Sequence, residues 1–282
     1  MFDGCDRAEE HPEPAHRTSA SRSGGWKGAR VSDLYPGVPD EVVEDLLVQR
    51  HPELRESLLG HYVNYAMSAS DAPLVYHLAS GLTLLAALAP LTLRYQDQRL
   101  RTPGFWTVLV GNRDMDRKSA IHIAETLLLE VAPDLHAGSN PASAEALEDQ
   151  LVATPALTYF QEEYRYLLLR TTKLMYQDIR PVMCAADDGK ARGLRRVAAA
   201  GPATPGDVRL CLLGGLAPDF LSETVDPDAG SDFYQHHHFF IGKRETPDRP
   251  LIRPEESRRL VLDAGLRDYI ALPSSPAGIC VG

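Results

Sequence analysis

Apolar residues recur at helical spacing early in the chain and in short unbroken runs later. EVVEDLLV, which follows Asp40, places its apolar positions on one helical face with acids in the first turn, so Asp40 is expected to cap a helix. The same spacing predicts a second helix over Glu53–Met67 and a third over Pro73–Ala89, ending near Pro90. The stretch from Leu74 to Leu93 approaches membrane-span length. It carries His77, Ser80, Gly81, Thr83 and Pro90, and its small residues suit a buried, closely packed helix rather than a span.

Beyond it the period changes. Phe105–Val110 (FWTVLV) is a continuous run of β-formers, the pattern of a strand buried on both faces of a parallel sheet. Helices are then predicted over Ser119–Val131 and Ser143–Leu151, and a second strand over Ala156–Phe160. Two helices follow, Tyr164–Lys173 and Met175–Ala185, then a loop over 186–206. A third strand, Val208–Leu213, is expected to stop at Gly214-Gly215, and Pro218–Glu223 to begin a short helix. The last elements are a strand at Phe239–Ile241 and a helix at Arg258–Ile270. Strands separated by helices predict an α/β fold: a central, mostly parallel sheet flanked by helices, with right-handed crossovers. The chain divides into a disordered leader over 1–35, a helical lead-in over 36–95 and the α/β core over 96–282.

Composition narrows the classes. With 282 residues, 44% hydrophobic and 24% charged, the chain has ordinary globular composition and can build a sizeable core. Cys5, Cys184, Cys211 and Cys280 are scattered with no CxxC pair, so reduced thiols and a cytoplasmic setting are expected. Residues 1–30 contain no apolar stretch of the signal-peptide kind. A formal net charge of −10 argues against a protein that lives by coating DNA phosphates, though not against one touching DNA through a few loops.

Four constellations carry candidate chemistry. The first is strand, loop, Lys-Ser, helix: FWTVLV-GNRDMDRKS-AIHIAETLL. A phosphate-binding loop surrounds the anion with backbone N–H groups, aims a helix N-terminus at it and adds a Lys, while the following hydroxyl ligates Mg²⁺. Gly111 follows the strand and Lys118-Ser119 opens the helix, as that context requires. The template has five residues between its first Gly and the Lys. Here there are six, Arg117 stands where the second Gly belongs, and Asp114 and Asp116 put negative charge into the loop. The competing reading is a plain strand-to-helix turn with an exposed Lys and a capping Ser.

The second is the acid pair Glu162-Glu163 at the end of the strand ALTYF, roughly 45 residues after Lys118. One acid at such a strand end holds the Mg²⁺ shell and the next polarises water. Glu162 is assigned to metal and Glu163 to water, against the alternative of two solvated acids opening a helix. The third is LCLLGGLAPDFL, where a ligand would sit beyond the strand's carboxyl end, but Leu216 and Ala217 are apolar where a polar sensor is expected. The fourth is His236-His237-His238 before FFIGKR. Histidines alternate faces on a strand, so at most two of them would share a metal. Lys243 or Arg244 would serve as a charge-stabilising finger or stand as a solvated strand end. Lys190, Arg192, Arg195 and Arg196 form a basic loop cluster suited to nucleic acid or to solvent.

The order of these segments resembles a family of P-loop proteins from phages, plasmids and bacterial mobile elements, related to RecA/DnaB-type and primase-helicase ATPases. The resemblance covers roughly residues 60–245. It runs through DAPLVYHLASGLTLLAAL, VLVG, RKSAIHIAETLL (the family often has Arg before the Lys), SAEALEDQL, TYFQEEYRYLL, the acids at Asp187-Asp188-Gly189 and LCLLGGLAPDFL. It implies a RecA-like fold with ATP and Mg²⁺ as cofactors. Nucleotide would be held by Gly111, Asn112, Arg117, Lys118 and Ser119, metal by Ser119 and Glu162, and catalysis would use Lys118 and Glu163. It also implies a homo-oligomer or larger complex, no membrane, and a link to single- or double-stranded DNA in replication, transfer or defence. The chain departs from the pattern at Met115-Asp116, at Leu216-Ala217 and at the histidine run, where the family has a small residue, a hydroxyl and an Arg. Two functions are therefore expected: a Mg²⁺-dependent, helicase-like ATPase, or a degenerate P-loop scaffold that binds nucleotide weakly or not at all and acts in assembly.

Overall fold

The computed structural model describes residues 39–45, 50–90, 92–95, 98–101, 104–138, 140–171, 173, 176, 178–188, 208–220, 232–243 and 256–271. The expected leader, the basic cluster from Lys190 to Arg196, and Arg244 lie outside these residues.

Among the described residues four helices come first: α1 (Asp40–Asp45), α2 (Pro52–Arg55), α3 (Leu58–Ala69) and α4 (Leu74–Leu88). An antiparallel hairpin follows, β1 (Thr92–Tyr95) with β2 (Gln98–Arg101). Its sequence, TLRYQDQRLR, has no apolar run, and so gave no strand signal. Then come β3 (Trp106–Val110), α5 (Arg117–Val131), α6 (Ala144–Ala153), β4 (Ala156–Gln161), α7 (Arg165–Thr171) and α8 (Ile179–Asp187). The chain continues with β5 (Arg209–Leu216), α9 (Asp232–Gln235), β6 (His237–Ile241) and α10 (Glu256–Ile270).

The protein is α/β. Four strands form one all-parallel sheet in the order β4-β5-β3-β6, flanked by helices. Both faces are covered. Helices α3, α4, α5 and α10 pack on one face against Leu109, Phe160, Cys211 and Leu213. Helices α6 to α9 cover the other, against Trp106, Val108, Tyr159, Leu210 and Leu212. This two-sided burial is why β3, β4 and β5 read as continuous apolar runs rather than alternating ones.

The helical lead-in is built into this core. Tyr76 donates to the Val110 carbonyl at 2.6 Å, and the Thr83 and Thr107 hydroxyls hydrogen-bond at 2.7 Å. Arg209, buried at the start of β5, donates to the carbonyls of Ala87 (2.7 Å) and Pro90 (3.4 Å), satisfying the C-terminal end of α4.

Several expectations are corrected. The predicted helix Glu53–Met67 is two helices, because Ser57 takes an extended conformation and its Oγ caps α3 by accepting from Gly60 N. Asp40 is the first residue of α1 rather than its cap. Its carboxylate instead accepts from Leu74 N at 2.8 Å and caps α4. The helix expected from Met175 begins at Ile179, with Pro181 in the first turn where no N–H is needed. The third strand does not stop at Gly214-Gly215: β5 runs through both to Leu216.

Candidate functional site

Residue 110 ends β3 and residue 117 starts α5, so the intervening loop must reverse the chain within six residues. Arg113–Met115 make one 3₁₀ turn. Asp116 then takes a left-handed conformation at φ 47°. Asp and Asn are the non-glycine residues best suited to that region. The left-handed residue is thus Asp116, one position before Arg117, which stands where the template has its second Gly. Arg117 becomes the first, buried residue of the helix.

The Asp116 carboxylate is held at both oxygens. Oδ1 accepts from the Ser119 hydroxyl at 2.6 Å, and Oδ2 accepts from the Ser70 hydroxyl at 3.0 Å. Ser70 ends α3 and also accepts from Ala72 N at 3.1 Å. One side chain therefore ties the end of α3 to the first turn of α5.

Gly111 is explained by packing. A Cβ there would collide with the Tyr76 hydroxyl, which burial pushes up to a pKa of about 12. Its N–H donates to the Leu216 carbonyl at 3.1 Å. The N–H expected to face a phosphate is thus taken by the sheet. Asn112 is exposed, and its carbonyl accepts from Met115 N.

The acid pair stands in the turn after β4. Glu162 Oε2 lies 2.8 Å from Lys118 Nζ, with the two side chains 53% and 60% exposed. The strands before these residues, β4 and β3, are not neighbours; β5 separates them. The fold thus joins two residues 44 positions apart at the carboxyl end of the sheet. Glu163 makes a loose contact with Arg165, Oε2 to Nε 3.9 Å. Tyr164 N donates to the Gly215 carbonyl at 2.9 Å, and the Tyr164 ring lies over Gly214, where a Cβ would sit 2.9 Å from it. The two glycines admit this turn against the strand instead of ending the strand.

The histidine run lies at the opposite, amino end of the sheet, since His237 pairs with Trp106, the first residue of β3. Its members take three directions. His236 Nδ1 meets the Asp187 carboxylate at 2.5 Å, and His238 stacks on Phe105 with ring centroids 4.7 Å apart. Burial raises the Asp187 carboxyl above its usual range, and His236 opposes that rise. His237 is buried, with Nδ1 2.8 Å from the Phe233 carbonyl. A carbonyl only accepts, so Nδ1 carries the proton and Nε2 accepts from the Tyr164 hydroxyl. Burial lowers the His237 pKa to about 3, which keeps the ring neutral.

Lys118 thus meets Glu162, and Ser119, the next residue of α5, meets Asp116. The histidines lie away from it. Leu216 is buried in β5, and Lys243 is exposed just past β6. Sequence reasoning assigned no role to Ser70, Asp116 or Tyr164. The signal for Asp116 was its residue type at a turn that needs a left-handed residue. Ser70, 46 residues away, left no local signal. Among the described residues, no group of three His, Cys, Asp or Glu could hold a metal, and no helix is long and apolar enough to cross a membrane. The chain matches no protein family and no curated protein.

Proposed function

We propose that this chain is a nucleotide-binding protein of RecA-like architecture, and that ATP phosphates bind at Lys118 and Ser119, at the start of α5. The observation that carries the reading is the pairing of Lys118 with Glu162 across two non-adjacent parallel strands, beyond their carboxyl ends. The α5 start supports it, because the first N–H groups of a helix have no partner within the helix and favour an anion. The oxygen donors Ser119 and Glu162 suit Mg²⁺. Two protein oxygens would leave the rest of a Mg²⁺ shell to phosphate oxygens and water.

In this reading Lys118 leaves Glu162 and neutralises β/γ-phosphate charge. The Ser119 hydroxyl and Glu162 carboxylate would hold the metal, which polarises phosphoryl oxygens when bound. Glu163, in the same turn, orients the attacking water. A homo-oligomer would let Lys243 of one protomer reach a neighbour's site, and coupling to single- or double-stranded DNA would follow the helicase-like resemblance.

A second reading has its own observations. The Gly111 N–H is committed to Leu216, and Asp116 places a carboxylate against Ser119. Both favour a degenerate loop that serves assembly with partners. Titration calorimetry with Mg²⁺-ATP, alongside phosphate release with and without single-stranded DNA, separates the two. Binding in the wild type that is abolished by Lys118→Ala supports the site, and equal binding by both proteins overturns it. Binding without turnover favours the scaffold.

A further inference from the structure

Helix α7 turns two different sides to its surroundings. Leu167, Leu168 and Thr171 are buried, and the Thr171 hydroxyl accepts from Arg180 Nε at 2.9 Å, which ties the end of α7 to α8. The outer side carries Arg165, Tyr166 and Leu169, with Tyr166 55% and Leu169 43% exposed, and Lys173 stands exposed just past the helix. Two rings of this surface are held by cations. The Arg165 guanidinium lies 4.8 Å from the Tyr166 ring centroid and donates to the Tyr166 hydroxyl at 2.9 Å. The Arg170 guanidinium lies 4.3 Å from the ring centroid of half-buried Tyr176 and donates to the Ala142 carbonyl at 3.1 Å. From Arg165 to Lys173 the chain has three cations and no acid, in a protein of net charge −10. One carboxylate approaches from the preceding turn, Glu163, 3.9 Å from Arg165 Nε.

We propose that the outer side of α7, continued by Lys173 and Tyr176, is a binding surface for single-stranded nucleic acid. Such a strand presents phosphates in series with base faces between them. Arg165, Arg170 and Lys173 match the phosphates, and Tyr166 offers a base an exposed ring that Arg165 already holds in place, so little side-chain freedom is lost on stacking. Every base has a π-face, so a surface of this kind tolerates any sequence. A duplex hides its base faces inside the stack, and an acidic peptide has none; both would engage the cations and leave Tyr166 unused. The surface needs no nucleotide at Lys118, and it narrows the nucleic-acid partner proposed above to a single strand lying across α7.

The test is fluorescence anisotropy of labelled oligothymidine, oligouridine and a duplex of the same length, titrated with the full chain in the absence of nucleotide. Wild type is expected to bind one or both single strands about tenfold more tightly than the duplex, and the two single-stranded arms distinguish DNA from RNA. Tyr166→Ala is expected to weaken single-strand binding about tenfold, while Tyr166→Phe, which keeps the ring, stays within about twofold of wild type. Leu260→Ala, at an exposed apolar residue of α10, is expected to bind as wild type does. Lys173→Gln lies beyond the helix end and reads the same surface without disturbing its packing. It should lower the slope of log affinity against log salt by about 0.7, the share of one phosphate on a single strand. Duplex bound as tightly as single strands, or wild-type affinity in Tyr166→Ala, overturns the proposal, because charge alone would then account for binding. An unchanged salt slope in Lys173→Gln, or an equal loss in Leu260→Ala, also overturns it. No binding by folded wild type overturns the surface and leaves the nucleotide reading intact, since that reading is decided separately by calorimetry with Mg²⁺-ATP.

Discussion

An exposed polar network and a buried one in this protein are built on opposite terms. At the carboxyl end of the sheet, Lys118 and Glu162 pair in the open, with more than half of each side chain exposed. Under the helices, Arg209 caps α4, and Tyr164, His237 and the Phe233 carbonyl form a chain buried from solvent. Water competes for the first network and not for the second. A hydrogen bond shielded from water is costly to break, while an exposed ion pair adds little to stability and is free to change partner. The buried network holds the architecture, and the exposed one is available to a ligand.

That contrast is tested most severely at Arg209. Arg209→Ala would open a cavity and leave the Ala87 and Pro90 carbonyls unsatisfied, with an expected loss of about 3–5 kcal/mol in denaturant unfolding. A loss below about 1 kcal/mol would mean that α4 does not depend on this cap. His237 sharpens the contrast through pH. Its unfolded value is near 6.5 and its folded value about 3, so between them the unfolded chain binds a proton that the folded chain refuses. Its contribution is fully present above about pH 6.5 and fades as pH falls toward 3, by up to about 1.4 kcal/mol per unit. The difference in unfolding free energy between pH 7 and pH 5 should therefore shrink in His237→Gln, and an unchanged difference would remove the buried neutral histidine from the account. The smallest effect is expected at the exposed pair. Glu162→Gln should shift stability by less than about 1 kcal/mol. A larger loss would show that the two networks are not as different as their exposure implies.

Periodicity made the coarse fold legible. FWTVLV and ALTYF are apolar without interruption because both faces of the sheet are covered, and that burial is what the pattern records. The hairpin β1–β2 was invisible because its sequence is mostly polar. Gly214-Gly215 misled for a specific reason. Glycine marks either the end of a strand or a close approach, and the Tyr164 ring that makes the approach comes from 50 positions earlier. At the candidate site, the Lys118–Ser119 turn and the acid pair stood out locally. Their meeting depends on the strand order, and the Ser70–Asp116 contact on where the end of α3 lies relative to the start of α5; neither leaves a mark on neighbouring residues. The same holds for Asp187, the acid beside His236, which lies 49 positions away.

The strand order also bears on how the chain is made. β5 lies between β3 and β4 in the sheet yet is synthesised after both, and the Trp106 indole finds its acceptor, the Leu210 carbonyl, 104 residues later. A chain emerging from the ribosome therefore carries β3 and β4 with the edges that will face β5 still open. The gap between β3 and β4 is filled only once residue 216 has cleared the exit tunnel, and the other edge of β3 waits for β6, which makes the interval after β4 the period of greatest exposure to misassembly and to chaperones.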